Sequence, residues 1–231
     1  MPKLTSDQFT KRLSRQTEKE ADRLAETVYT PDMRMEGQSL IRMLQSFMWN
    51  EFYFGMYPPA KQMNRLYELN DGDVTADIDI VVELANMARD ELKHAKLFSN
   101  RIEELGGEPD LRKYEPTDEQ VEMFHTVYDH ENPVLLAACQ QVGIERFVPK
   151  LFQALVDNDV VDDRTKEVLH SADLDEPNHL NVGRKILLRY ATNEEIQQRV
   201  MEVNRAACKS MYDLYGVEYE RNADELKESI A

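Results

Sequence analysis

The chain has 231 residues and a mass of 26.9 kDa, enough to bury a substantial core as one large domain. Its 44 acidic against 28 basic residues give a formal charge of −16, a surface that repels phosphate backbones and anionic membranes and argues against nucleic acid or membrane partners. Only Cys139 and Cys208 are present, which excludes a disulfide framework and any Cys-rich zinc or rubredoxin-type iron module.

Glycine and proline are scarce, at 8 and 9 residues, and Glu, Leu, Ala, Met, Arg and Lys fill long segments without valine-rich alternation. The expected class is all-α. The start "MPKLTSDQFTKRL" lacks the apolar core of a signal peptide, and no run of roughly 18 apolar residues occurs, so a cytoplasmic location is expected.

In chain order, residues 7–28 predict an amphipathic helix, with Phe9, Leu13, Ala21, Leu24 and Val28 among charges. It is expected to be an N-terminal arm packed on the bundle or on another subunit, which makes a homodimer plausible. A helix over about 32–57 runs through "GQSLIRMLQSFMWNEFYFGMY" and meets Pro58-Pro59, which should bend or stop it. A short helix of about 60–69 ends at the turn "NDGD". From Thr75 to about Leu105 one long helix stops at Gly106-Gly107. The capping box Thr117-x-x-Gln120 predicts a helix over about 118–130. Pro133 opens a helix to about Val156, and after the turn "DNDVVDD" comes a helix or broken helix over about 163–190. Thr192-x-x-Glu195 is a second capping box that starts the last helix, 193–214, and the tail after Tyr219 reads as frayed or loosely helical. No low-complexity linker divides the chain, so residues 1–231 are expected to form a single domain.

Two helical stretches carry Asp-Glu-x-x-His: Asp90-Glu91 with His94, and Asp175-Glu176 with His179. Glu and His at i and i+3 lie about 60° apart around a helix and less than a turn apart along it, so both can reach one metal ion. Carboxylate with neutral imidazole suits iron, manganese or zinc better than calcium or magnesium. Spacing alone does not choose among candidates, because Glu122/His125 and Glu167/His170 share it in a chain with 25 glutamates.

Hairpin arithmetic does choose. Around a first turn at Asp71, Glu51 is 20 residues before and Glu91 is 20 after; around a second at Val160, Glu145 is 15 before and Glu176 is 16 after. In antiparallel helices such pairs lie level. Glu51 is the only charge in "SFMWNEFYFGMY", and Glu145 follows the apolar and amide run "VLLAACQQVGI". A carboxylate in such company is costly unless paired or metal-bound. Glu51, Glu91, His94, Glu145, Glu176 and His179 are therefore the expected metal ligands, and through the metal the expected catalytic residues. Glu122/His125 and Glu167/His170, set among other charges, are expected to be ordinary surface.

The set Glu, ExxH, Glu, ExxH over about residues 32–190 resembles the ferritin-like di-iron carboxylate superfamily. The resemblance implies a ferritin-like four-helix bundle with additional N-terminal and C-terminal helices. It also implies two iron ions, with manganese possible, and places Asp90 and Asp175 behind the ligands, each orienting the other half's histidine. Phe98 stands where the ribonucleotide reductase small subunit carries a tyrosine, and Pro149 where methane-monooxygenase-like enzymes often carry Thr. Size and ligand pattern look most like the short stand-alone members such as aldehyde-deformylating oxygenases.

The implied function is an oxygen-activating di-iron oxygenase acting on an apolar substrate by hydroxylation, N-oxygenation, desaturation or aldehyde deformylation. Its partners would be dioxygen and an external electron donor of the ferredoxin or reductase type. Alternatives are a dimanganese catalase or peroxidase-type enzyme and an iron-binding, detoxifying protein. The apolar load around Glu51 places Phe47, Phe52 and Tyr53 in the expected substrate pocket, and Pro149 is expected to distort its ligand helix, as is Pro177 unless it marks the first turn of a new helix segment.

Overall fold

The computed structural model describes residues 4–219, and among them every regular element is helical. Ten α-helices follow in order: α1 (Ser6–Val28), α2 (Gly37–Met56), α3 (Pro58–Leu69), α4 (Ile78–Glu104), α5 (Asp118–Tyr128), α6 (Pro133–Cys139), α7 (Phe147–Asp157), α8 (Asp163–Asp173), α9 (Glu176–Tyr190) and α10 (Glu194–Leu214). Single 3₁₀ turns precede α4, at Thr75–Asp77, and α7, at Ile144–Arg146. The loosely helical tail expected after Tyr219 lies outside the described residues. No helix among them is long and apolar enough to cross a membrane.

Local chemistry sets most boundaries. A capping box starts α1: the Gln8 N–H donates to Thr5 Oγ1 and the Thr5 N–H to Gln8 Oε1. α2 stops at Met56, just before Pro58-Pro59 as expected, and both prolines occupy the first turn of α3, where no N–H is needed. Gly106, at φ 77°, terminates α4, and the Gly107 N–H returns to Ile102 O at 2.8 Å. Thr117 caps α5, accepting from the Gln120 N–H, but the Gln120 amide donates to Asn50 and does not close the expected box. The last helix starts differently from expectation: Asn193, not Thr192, accepts from the Ile196 N–H at 3.0 Å.

α1 lays its apolar face, including Phe9, Leu13, Ala21 and Leu24, into the chain's own core against α7, α9 and α10. Of the two placements expected for this helix, it takes the one on the chain's own bundle.

α2 and α4 are the closest-packed pair of helices and run antiparallel, with Phe47 beside Phe98 and Gly55 beside Glu91. A Cβ on Gly55 would fall 2.6 Å from the Cβ of Glu91, so only glycine permits this approach. The other half is not a continuous hairpin. The single helix expected from Pro133 to Val156 is cut into α6, the 3₁₀ turn and α7. Between them the Val142 N–H reaches back to Ala137 O and the Glu145 N–H to Gln140 O, one residue further than an α-helix allows. Gly143 lies in this break, where a Cβ would come within 2.1 Å of Cys139 O. The stretch 163–190 is likewise cut, into α8 and α9, with Glu176 and Pro177 opening α9.

Candidate metal centre

The structure brings Glu51, Glu91, His94, Glu145, Glu176 and His179 to one place. All are buried, the least of them 7% exposed. Glu51 comes from the C-terminal third of α2, and Glu91 and His94 from the middle of α4. Glu145 comes from the 3₁₀ turn before α7, and Glu176 and His179 from the first turn of α9.

The two histidines face each other with ring centroids 5.9 Å apart, and two carboxylates span them. Glu91 places Oε2 at 3.8 Å from His94 Nδ1 and Oε1 at 3.1 Å from His179 Nδ1. Glu176 does the same, with Oε1 at 3.8 Å from His94 Nδ1 and Oε2 at 3.5 Å from His179 Nδ1. Glu51 stands on the His94 side, Oε2 at 3.2 Å from Nδ1. Glu145 stands on the His179 side, where it forms a group with Glu91 and His179 whose donor atoms lie within 4.8 Å of one another. Glu51, Glu91 and His94 form the matching group on the other side. Each side thus offers one imidazole, one carboxylate of its own and two shared ones.

The donor atoms are poorly satisfied by protein. Glu91 Oε1, both oxygens of Glu176 and both ring nitrogens of His179 are buried without a hydrogen-bond partner. Such atoms normally carry a cost that some ligand removes. Four carboxylates, two neutral imidazoles and two divalent cations sum to zero charge, which fits a buried cavity.

Electrostatics follow from this crowding. Burial, then repulsion from Glu91, holds the Glu51 carboxyl well above the usual range, and Glu145 is raised by the same causes. Burial also acts to raise Glu91, but hydrogen bonding with Glu51 and the charge of His179 outweigh it and hold Glu91 low. Burial acts to lower His179, yet the Glu91 and Glu176 carboxylates outweigh it and push the imidazole up to about 12.

Asp175 places Oδ2 at 3.4 Å from His94 Nε2 and is itself ion-paired with Lys93. Asp90 is buried but its carboxylate goes to the Arg89 guanidinium at 2.9 Å, and it makes no contact with His179 among the described interactions. Glu122, His125, Glu167 and His170 are all exposed. Both prolines beside the ligands sit in first turns: Pro149 is the third residue of α7 and Pro177 the second of α9. Pro149 thus begins a helix where a distortion within one was expected, whereas Pro177 takes the other place open to it, the first turn of a new helix.

A narrow cavity of about 50 Å³ adjoins the centre. Asn50, Glu51, Glu91 and Glu145 form its polar end, and Phe47, Phe54, Met123, Leu151, Phe152 and Met211 are among its apolar walls. Of the expected pocket residues only Phe47 lines it. Tyr53 instead stacks on Trp49 and Tyr57 on the other side of α2, and Phe52 packs edge-on against Tyr53. The walls from α7 and α10 went unseen in the sequence because nothing local marks helices that converge from distant positions.

No family model matches the chain, and no curated protein does. Among solved structures it is similar to the crystal structure of a TenA homolog from Pseudomonas syringae pv. tomato str. DC3000. The TM-score is 0.71 at 14% identity, over 92% of this chain and 94% of that one. The likeness is one of fold, and it corrects the ferritin-like expectation: the helical architecture is that of a TenA homolog. The assignment to the di-iron oxygenases, and the oxygen-activating oxidoreductase function implied by it, fall with that resemblance. The physical reason is that ExxH spacing specifies which side chains share a helix face, whereas the order and connection of the helices are independent of it. Dioxygen and an external electron donor followed only from the resemblance and are not carried further.

Proposed function

We propose that this protein is a metal-dependent enzyme that holds two divalent transition-metal ions between α2, α4, the turn before α7 and the start of α9. Iron is the first candidate and manganese the second. Its substrate is a small, mainly apolar molecule seated in the adjoining cavity. The observation that carries this proposal is the set of buried donor atoms on Glu91, Glu176 and His179 that crowd together without forming hydrogen bonds.

Glu91 and Glu176, which lie between the two histidines, would help hold the ions, together with Glu51 and His94 on one side and Glu145 and His179 on the other. Bound there, the metals would supply Lewis acidity, polarising a ligated oxygen and lowering the pKa of a bound water. The chain itself supplies the rest. The largely apolar walls would favour an apolar group beside the centre, Asn50 offers an amide at the polar end, and Asp175 with Lys93 holds His94 with Nδ1 turned inward.

The test is metal per chain after anaerobic loading with Fe(II) or Mn(II) and desalting. About two ions per wild-type chain, lost in Glu91→Ala and kept in Glu167→Ala, is the expected result. No retained metal in the wild type would mean that the cluster is a proton-sharing core, and the proposal would fail.

A further inference from the structure

Behind Glu145 lies a chain of three buried glutamines that the metal ligands do not include. Gln140, Gln141 and Gln62 have no measurable exposure. Gln140 Nε2 donates to Glu145 Oε1 at 3.3 Å and to the Phe54 carbonyl at 3.3 Å. Its Oε1 accepts from Gln141 Nε2 at 3.2 Å. Gln141 Nε2 also donates to Gln62 Oε1 at 3.0 Å, and Gln62 Nε2 donates to the Pro133 carbonyl at 2.8 Å and to Gln141 Oε1 at 3.4 Å.

The sense of this chain is forced. The carbonyls of Phe54 and Pro133 only accept, so the amide nitrogens of Gln140 and Gln62 must face them. Gln62 then presents its oxygen to Gln141, and Gln141 presents its nitrogen to Gln140. Both protons of each amide are used, and no amide can flip without orphaning a buried group. The free end of the chain is therefore always an N–H donor, aimed at one oxygen of Glu145 and leaving the other for an ion.

The backbone around Glu145 gives it little other support. Its segment is the 3₁₀ turn between broken helices, whereas Glu51 sits within an unbroken helix. A neutral donor also holds a carboxylate without adding a fifth negative charge to the cluster.

Resting on the two-metal reading, we propose that Gln140, backed by Gln141 and Gln62, is the positioning residue for Glu145 and sets the affinity of the ion on the His179 side. The other ion, held by Glu51 and His94 on regular helices, does not depend on it.

Mn(II) titration of the full chain, followed by calorimetry and by electron paramagnetic resonance, separates the two ions. A coupled pair and an isolated ion have different spectra. In Gln140→Met, which keeps the length and removes the donor, one ion should bind as in wild type and the second about tenfold or more weakly. The coupled signal should give way to that of an isolated ion at limiting metal. Gln62→Met, remote from the ligand, should weaken the same ion several-fold less. It decides by the same criterion if Gln140→Met does not fold.

Two ions bound with wild-type affinity in these variants, or both weakened equally, would overturn the positioning role while leaving the metal centre standing. A wild-type chain that binds no Mn(II) and no Fe(II) would overturn both.

Discussion

The two halves of the centre are built on opposite principles. α2 and α4 are unbroken helices of 20 and 27 residues, and their three donors stand at positions that helix period and rise alone determine. The half carrying Glu145, Glu176 and His179 is made of interruptions, with the donors at or just before the starts of α7 and α9. A helix start favours a carboxylate through its unpaired N–H groups and dipole, but it holds position less firmly than a helix interior. That half compensates with a glycine-permitted break and the buried glutamine chain. A similar donor set can therefore be rigid on one side by secondary structure and on the other by hydrogen bonding.

The largest expected effect removes the comparison altogether. Glu91 spans both histidines, so Glu91→Ala should take metal content from about two ions per chain to close to none by elemental analysis. Glu51→Gln and Glu145→Gln should instead each cost mainly the ion on their own side.

Glycine substitutions sharpen the contrast. Gly55→Ala drives a Cβ into Glu91 in the regular half and should lower stability by about 1–3 kcal/mol, read by chemical denaturation. It should also weaken both ions, because α2 and α4 separate. Gly143→Ala meets backbone, the Cys139 carbonyl, and should destabilise at least as much while weakening chiefly the Glu145 side. Equal loss of both ions in Gly143→Ala would erase the distinction between the halves.

Acid should weaken both sides together. Glu51 and Glu145 are raised and His179 is pushed up to about 12 in the metal-free protein, so these groups hold protons that an ion must displace. Metal affinity should rise with pH, with net proton release on loading measured by calorimetry in buffers of different ionisation enthalpy. Affinity independent of pH would exclude these groups as ligands.

The smallest effect concerns the support of His94. Asp175→Asn should weaken the His94-side ion about tenfold and leave the other unchanged, in Mn(II) titration. His125→Ala and His170→Ala, on exposed positions, should change neither ion.

Much of the candidate centre was legible because an unbroken helix converts sequence distance into spatial distance without help from the rest of the molecule. The count of 20 residues on either side of Asp71 paired Glu51 with Glu91, but α2 stops at Met56 and α3 fills the rest of that arm, so the two donors meet across α2 and α4 and not along one continuous hairpin. The same count around Val160 also paired Glu145 with Glu176, but through a route it did not describe, since both intervening helices are broken. The adjacent glutamines in "VLLAACQQVGI" were visible as polar residues in an apolar run. Their partner Gln62, 79 residues away from Gln141, carried no local signal.

Composition and helical spacing by themselves determined that the chain is helical, that four glutamates and two histidines are candidate ligands, and that two further Glu-x-x-His pairs lie among surface charges. Only the tertiary structure decided the order in which the helices pack, the likeness to a TenA homolog, the cavity closed by α7 and α10, and the partners of Asp175 and Gln140. The reason is the range of the forces involved. Helix period and solvation of charge act within a few residues, whereas fold topology, cavity walls and hydrogen bonds across the core depend on contacts between segments that the chain brings together only when it folds.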